Sequence, residues 1–444
     1  MLKLIKNPFH QKIFLFSIPI ILSMFTQQFY NVADTMIVGQ FLGVDELAAV
    51  GNAGTIVMLF IVVSGGFELA SEIIFSHYLG KNDTTRIAHG TINVIKIAFI
   101  ISLLMIFLGF LCLPLIYQWI QLPPNLKPLT NIYIMTYMIG VPFIYVYDIS
   151  RAIITALGDS KHCFYFVLGS SVLNIILDLL FIPVLHLGVF GAAFATIISQ
   201  IIFMFVAFFY LYQKIKVYPD FTWKPHMDIE QIRELVQITV PSIIQQFVIT
   251  SSSIFIQSMI NPFGSEVISG FIAVNKVLSL ANIIIIGFSQ GFSISAAQMI
   301  AAKKYSQLKN IYFFFVKLSL IYVSCISIIF LIFPRLFCQP FFSVDIYQQG
   351  YTFFKIYLQC SIVIMFINIF NIINEGLLRS SMNMTYFLIS NLSDLFIRMI
   401  ATYLLLVPFA TNAFWLGAII GRAVSFLLSF LFIYLVSKKW RTQN

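Results

Sequence analysis

Charge is scarce in this 444-residue chain: Asp, Glu, Lys and Arg together make up 10% of it, against 60% hydrophobic residues. So little polar surface cannot coat a soluble globule of this length, which excludes a water-soluble fold and predicts a polytopic membrane protein. Cysteine is sparse too. Cys112, Cys163, Cys325, Cys338 and Cys360 are odd in number and scattered, so they imply neither a disulfide framework nor a thiolate metal site. There is no His-Glu-x-x-His and no phosphate-binding glycine loop, and the six histidines fall mostly in loops or at helix ends. These absences argue against an enzyme. No small-residue cleavage site follows the first apolar run, which therefore reads as a retained helix rather than a signal peptide. The formal net charge is +9, yet no polar domain interleaves basic and aromatic residues, which excludes a nucleic-acid partner.

What the chain has in abundance is long apolar runs. A hydrocarbon core of about 30 Å needs roughly 20 apolar residues per helical crossing. Runs of that kind lie near 14–38, 47–78, 88–116, 129–155, 162–185 and 189–212, and again near 235–260, 267–299, 311–334, 352–376, 384–407 and 413–436. Lipid offers no partner to open backbone groups, so the expected fold is all-α, with twelve transmembrane helices in two pseudo-symmetric six-helix bundles. Residues 1–213 form the first bundle in this reading, 214–234 a cytoplasmic linker and 235–444 the second bundle. The linker carries Lys214, Lys216, Asp220, Lys224, Asp228, Glu230 and Arg233 with Pro219 and Pro225.

Orientation follows from the basic residues. With a cytoplasmic N-terminus flanked by Lys3, Lys6 and Lys12, eighteen Lys and Arg fall in inner segments, and only Lys127 and Arg335 in outer loops. Both termini are therefore expected in the cytoplasm. Across the linker the sequence repeats weakly: Ser-Ile-Pro19-Ile-Ile resembles Thr-Val-Pro241-Ser-Ile, and the segment from Phe41 resembles that from Phe263. Six crossings per half make this a parallel duplication, a transporter plan in which substrate binds between repeats.

Several polar residues interrupt the apolar runs. Asp34 lies in the first, although an acid at the centre of a membrane helix costs roughly 2.5–3.5 kcal/mol. Asn174 and Asp178 stand four apart, on one face of the fifth crossing, and the sixth adds Thr196. Such an oxygen-rich set suits a proton or a hard monovalent cation. The plainer alternatives are that Asp178 hydrogen-bonds a neighbour near the outer face and that Asp34 lies close to its helix end. Asp148 with Arg151, and Asp394 with Arg398, have spacings that let each pair neutralise itself along one helix. Glu68 and Glu72 are like charges four apart. Together with Asp148, Lys276 and Glu375 they are candidates to line a cavity. The 48 Phe and 15 Met would suit flat apolar cations, but most must face lipid or pack helices.

The set of motifs resembles the multidrug and toxic compound extrusion (MATE) family along essentially the whole chain. Pro19, Tyr30-Asn-Val-Ala-Asp34, Gly43-Val-Asp-Glu-Leu-Ala-Ala49 and Ser76-His-Tyr-Leu-Gly-Lys-Asn-Asp83 carry the likeness at the start. Ala156-Leu-Gly-Asp-Ser-Lys161, Asn174 to Asp178, Gly188 to Thr196, Pro241 and Asn374-Glu-Gly-Leu-Leu-Arg379 carry it onward. The resemblance implies a central cavity between two bundles and antiport of organic cations or other amphipathic drugs against H+ or Na+, by alternating access. It implies a cation-coupling site at Asp34, Asn174, Asp178 and Thr196, and a bend near Pro19. No other cofactor is implied, and no metal beyond Na+ at that site. The sequence departs from the family pattern at Glu68 and Glu72, where small polar residues are usual. Gln245 and Gln246 stand where some branches carry an acid on the seventh helix, and Ile256 stands near the repeat position of Asp34. These departures favour the first bundle for coupling, with Glu375 secondary.

The expected function is a secondary active exporter in the cytoplasmic (inner) cell membrane, multi-pass, embedded in the lipid bilayer, for which a monomer would suffice. The alternative is a flippase for a lipid-linked sugar or similar metabolite, which would need Lys276, Arg398 and Arg422 to converge. A membrane enzyme or a channel has no supporting motif.

Overall fold

A backbone immersed in hydrocarbon has to bond to itself, and the long apolar runs do so as helices. The computed structural model describes residues 7–120, 122–223, 228–341 and 348–441. Lys3, Lys6, Lys224 and Pro225, which entered the reading of topology and linker, lie outside them. Among the described residues there is no strand, and twelve long helices occur: α1 (Pro8–Phe41), α2 (Val44–Gly80), α3 (Thr84–Trp119), α4 (Lys127–Ala156), α5 (Ser160–Phe181), α6 (Gly188–Ile215), α7 (Ile229–Ile260), α8 (Ser265–Ala301), α9 (Tyr305–Ile332), α11 (Gln348–Ser380), α12 (Met384–Phe409) and α13 (Ala413–Arg441). The all-α, twelve-helix expectation holds. Two boundaries differ from it. The fifth helix stops at Phe181, two residues before Pro183, and the chain turns through His186 at φ 53°. The ninth stops at Ile332, and Pro334 opens a short helix, α10 (Pro334–Cys338), because a proline at the first helical position gives up no bond the helix needs.

The chain divides into two compact units. One, the N-terminal unit, is Ile18–Ile243; the other, the C-terminal unit, comprises the described residues of Met1–Ser17 and Ile244–Asn444. The division runs through α1 and α7, next to Pro19 and Pro241. Each proline withholds an N–H from the carbonyl four residues back, so the helix is weakest there. Within the N-terminal unit the first turns of α7 pack on α2: a Cβ at Gly66 would stand 2.7 Å from Ile243 Cγ1. Within the C-terminal unit the start of α1 packs on α8, where a Cβ at Gly291 would stand 2.1 Å from Ser17 Oγ. His10 also stacks on Phe314 at 4.6 Å.

Each unit is organised around the fourth long helix of its half. In the N-terminal unit α4 packs against α2, α3, α5 and α6. In the C-terminal unit α11 packs against α8, α9, α12 and α13. Lipid provides no hydrophobic drive for helix association, so close approach rests on small residues. Gly417 and Gly421 of α13, four apart, meet α12 directly, and a Cβ at Gly421 would lie 2.7 Å from the Asp394 carbonyl oxygen. Gly270 of α8 and Gly350 of α11 bring two backbones together in the same way. Outward-facing Phe107, Leu111 and Leu115 on α3 leave an apolar stripe for lipid.

The described part of the linker folds onto the N-terminal unit. Arg86 donates to Glu230 at 2.7 Å, Tyr78 donates to Glu234 at 2.7 Å, and Lys96 donates to the Trp223 carbonyl at 3.1 Å. Between α4 and α5, Gly158 turns the chain at φ 91° and Asp159 caps α5, accepting from the His162 backbone N–H at 3.2 Å. The same carboxylate accepts from Tyr210 at 2.5 Å and pairs with Lys214 at 2.9 Å on α6.

Gly270→Ala places a methyl 2.5 Å from the Gly350 carbonyl oxygen, where only backbone movement relieves the clash. Over-packing of this kind costs about 1–3 kcal/mol, so thermal unfolding in detergent should occur at a lower temperature, whereas Gly54→Ala, in open space, should be neutral. Burial would raise the Asp159 carboxyl, but its bonds from Tyr210, Lys214 and His162 outweigh that and hold it well below the usual carboxylate range. A depressed folded-state value stabilises above the unfolded one. The advantage of the parent over Asp159→Asn, about 0.5–2 kcal/mol for a lost cap, should therefore be full near neutral pH. It should shrink as pH falls below the ordinary Asp range, which unfolding followed across pH would show.

Candidate functional site

Helical spacing places Asn174 and Asp178 on one face of α5, and that face is turned inward, leaving Asn174 at 2% and Asp178 at 0% exposure. α1 brings Asp34 against it, with the Asp34 and Asp178 carboxyl groups close enough to share a hydrogen bond. With its amide oriented to suit both neighbours, Asn174 donates to Asp178 Oδ2 at 3.3 Å and accepts from the Thr196 backbone N–H at 3.3 Å. In the other orientation it donates to Thr196 Oγ1 at 3.3 Å. The four residues named from the sequence thus converge from α1, α5 and α6. Tyr30 and Tyr133 adjoin the pair, and Tyr133 stacks on Tyr137 at 6.3 Å between ring centres.

Asp34 Oδ1 and Asp178 Oδ1 are both buried and lack a hydrogen-bond partner. Two ionised carboxylates in contact repel each other, and each orphaned oxygen gives up solvation that nothing in the protein replaces. A proton shared between the carboxyls, or a monovalent cation bound by their oxygens with those of Asn174 and Thr196, would relieve both penalties. Among the described residues, no group of three or more His, Cys, Asp or Glu side chains is arranged to hold a metal ion.

A second charged cluster lies in the same unit. Arg151 on α4 bonds Glu68 Oε1 on α2 at 3.0 Å and Asp148 Oδ1 on its own helix at 3.1 Å, and it lies 5.0 Å from the Tyr147 ring centre. Ser64 donates to Asp148 Oδ2 at 2.7 Å. The expected self-neutralising Asp148–Arg151 pair is therefore a three-residue cluster spanning two helices. Arg151 is buried in it. Glu72 is also buried.

In the C-terminal unit Asp394 pairs not with Arg398, as their spacing allows, but with Arg422 of α13 at 3.2 Å. Arg398 instead donates to Ser252 at 3.1 Å. Glu375 is buried on α11, with one carboxyl oxygen lacking a partner. Gln245 donates to Asn391 at 2.6 Å. Lys276 and Arg398 line a single cavity, so two of the three basic residues required by the flippase alternative converge, while the third is held by Asp394.

The MatE family model matches residues 19–180 and 241–404, one copy in each half. The probable multidrug resistance protein YpnP of Bacillus subtilis is 32% identical over 275 residues, 61% of this chain and 60% of that protein, so the aligned chain spans about three fifths of that relative. The probable multidrug resistance protein NorM of Bacillus thuringiensis is 22% identical over 99% of this chain and 98% of its own. A solved MATE structure in a bent conformation superposes with a TM-score of 0.91 at 18% identity, covering 99% of this chain and 98% of that one.

The Arg151 cluster yields a test of its energetic role. Removing one member of a buried ion pair costs about 3–5 kcal/mol, because the charges left behind are uncompensated. Arg151→Met should lower the unfolding temperature strongly, and combining it with Glu68→Gln and Asp148→Asn should restore most of the loss. A triple variant no more stable than the single would show that the three charges do not act as a unit.

Proposed function

For a chain that belongs to the MatE family, a family of membrane transporters and not of enzymes, we propose secondary active export of organic cations or other amphipathic drugs in exchange for H+ or Na+. The observation that carries this reading is the buried Asp34–Asp178 contact, with one unpartnered oxygen on each carboxyl. Arrival of a proton or Na+ takes the pair from two negative charges to one and removes its repulsion, and a second ion neutralises it. Drug export then requires only that the ion-loaded state bind the drug more weakly than the ionised one, since differential affinity alone drives such a cycle. Asn174 and Thr196 hold Asp178 in place and add oxygen ligands for a cation.

Pro19 stands on the same helix as Asp34, about 22 Å away at 1.5 Å per residue. A bend at the proline would reshape one end of α1 while the acid exchanges its ion at the other. In this reading the protein works as a single chain in the cytoplasmic membrane with both termini inside. Glu68, Glu72 and Asp148 act around the Arg151 cluster, and Glu375 has a secondary place.

The driving force sets the ion count. One inward charge is worth about 2.3 kcal/mol per 100 mV and one pH unit about 1.4, so a neutral drug exchanged for one proton is concentrated roughly 500-fold. A monovalent cation exchanged one for one cancels the voltage term and is concentrated only about tenfold per pH unit. Two acids in contact allow two charges per cycle, which restores the voltage contribution.

Ethidium movement in proteoliposomes under separately imposed pH and Na+ gradients tests the reading. The parent should concentrate ethidium about tenfold or more per unit of the coupling gradient. Asp34→Asn and Asp178→Asn should each abolish accumulation, and Thr196→Val should weaken Na+-driven more than H+-driven transport. Gradient-driven transport that survives Asp34→Asn would return that acid to a structural role.

A further inference from the structure

The C-terminal unit contains a cavity of about 400 Å³ that the coupling mechanism does not use. It is lined by Lys276 of α8 and Arg398 of α12, with Asn275 and Gln257 beside them, and no Asp or Glu is among its lining residues. Phe271, Tyr357 and Phe414 form its aromatic side, with ring centres 6.1 Å apart for Phe271 and Tyr357 and 5.8 Å for Phe271 and Phe414. Ile256, near the repeat position of Asp34, also lines it.

The two cations are poorly compensated. Among the described residues Lys276 makes no ion pair. Arg398 donates one bond to the neutral Ser252 hydroxyl, and its Nε is buried without a partner. The nearest carboxylate on the same helix, Asp394, is engaged by Arg422 at 3.2 Å. Two positive charges with no direct carboxylate partner, inside membrane-spanning helices, are expensive to maintain, and basic residues in such positions mark ligand paths. The cavity therefore has the composition of an anion site: a point charge from Lys276, a planar fork from Arg398 and an aromatic wall for an apolar body.

We propose that this cavity binds an amphipathic anion, a carboxylate or phosphate carried on an apolar or aromatic body, with the anionic group between Lys276 and Arg398 and the body against Phe271 and Phe414. The anionic group belongs either to a free amphiphile or to a lipid headgroup.

The test uses full-length protein in neutral detergent, with tritiated 1-naphthaleneacetate as the anionic probe and (1-naphthylmethyl)trimethylammonium as its cationic counterpart. Saturable binding of the anion in preference to the cation is expected. Lys276→Gln and Arg398→Gln should each weaken anion binding about tenfold, roughly 1.4 kcal/mol, and the double variant should weaken it further. Lys276→Arg should retain binding, and Lys276→Glu, whose carboxylate offsets the Arg398 charge, should abolish the preference for the anion. Lys276 is exposed, so its variants should unfold at the parent temperature, which separates lost binding from lost fold.

Phosphatidylglycerol that competes with the probe, where phosphatidylcholine does not, would make the bound anion a lipid headgroup; absence of competition would make it a free amphiphile. Asp34→Asn should leave naphthaleneacetate binding intact, so failure of the ion-coupling reading and failure of this one are separate results. Equal binding of both probes, or anion binding unchanged in the double variant, would overturn the proposal.

Discussion

Hydrocarbon offers a buried charge no partner, and much of this structure is a response to that fact. Arg151 is held between Glu68 and Asp148, and Arg422 is paired with Asp394. Buried amides and hydroxyls are treated likewise: Asn371 donates to the Arg422 carbonyl, and Asn374 bridges Tyr312 and Ser429. Several polar side chains inside the two units thus bond to a neighbouring helix and fasten it. Against that background the groups left uncompensated stand out. Among them are the carboxyl pair of α1 and α5, Glu375 of α11, and the cations of α8 and α12.

The helices can meet closely enough for these bonds only where side chains are small. α12 lies against Gly417 and Gly421, α8 against Gly350, and the start of α1 against Gly291. Proline has the complementary role. Where α1 and α7 pass from one unit to the other, each contains a proline that has already removed one helical hydrogen bond. A change of helix direction there breaks fewer bonds than it would elsewhere. Stiff packing within units and weak points in the two connecting helices suit the alternation between states proposed above.

The sequence showed the helices because a twenty-residue apolar run has few other solutions, and it showed Asn174 with Asp178 because helical spacing alone puts them on one face. It showed the repeated prolines, but not which unit would hold the helix ends beyond them, since that depends on packing against Gly66 and Gly291. The bond between Arg151 and Glu68 was hidden for the same reason: spacing reports partners within a helix and is silent about partners across one. Asp394 illustrates the converse error. Its four-residue interval to Arg398 permits a pair, yet Arg422 on the neighbouring helix reaches it first. The Gly417-Ala-Ile-Ile-Gly421 spacing was a readable signal of close helix contact, and it required only that glycines be weighed for packing as well as for turns.

The duplication sharpens the contrast between the two uncompensated sites. α5 and α12 are the fifth long helices of their halves; one offers Asn174 and Asp178, the other Asp394 and Arg398. In the first half Asp34 adds a second acid. Near its repeat position the second half has Ile256, and the charges that line the cavity beside it are positive. A fold repeated merely to fill the bilayer would have no reason to keep ionisable groups in both copies, because each costs about 2.5–3.5 kcal/mol at membrane depth. The two sites differ in sign: the carboxyl pair of α1 and α5 favours a cation, whereas Lys276 and Arg398 disfavour one at their cavity. In the proposed reading a coupling cation therefore belongs with the carboxyl pair and not with the Lys276–Arg398 cavity.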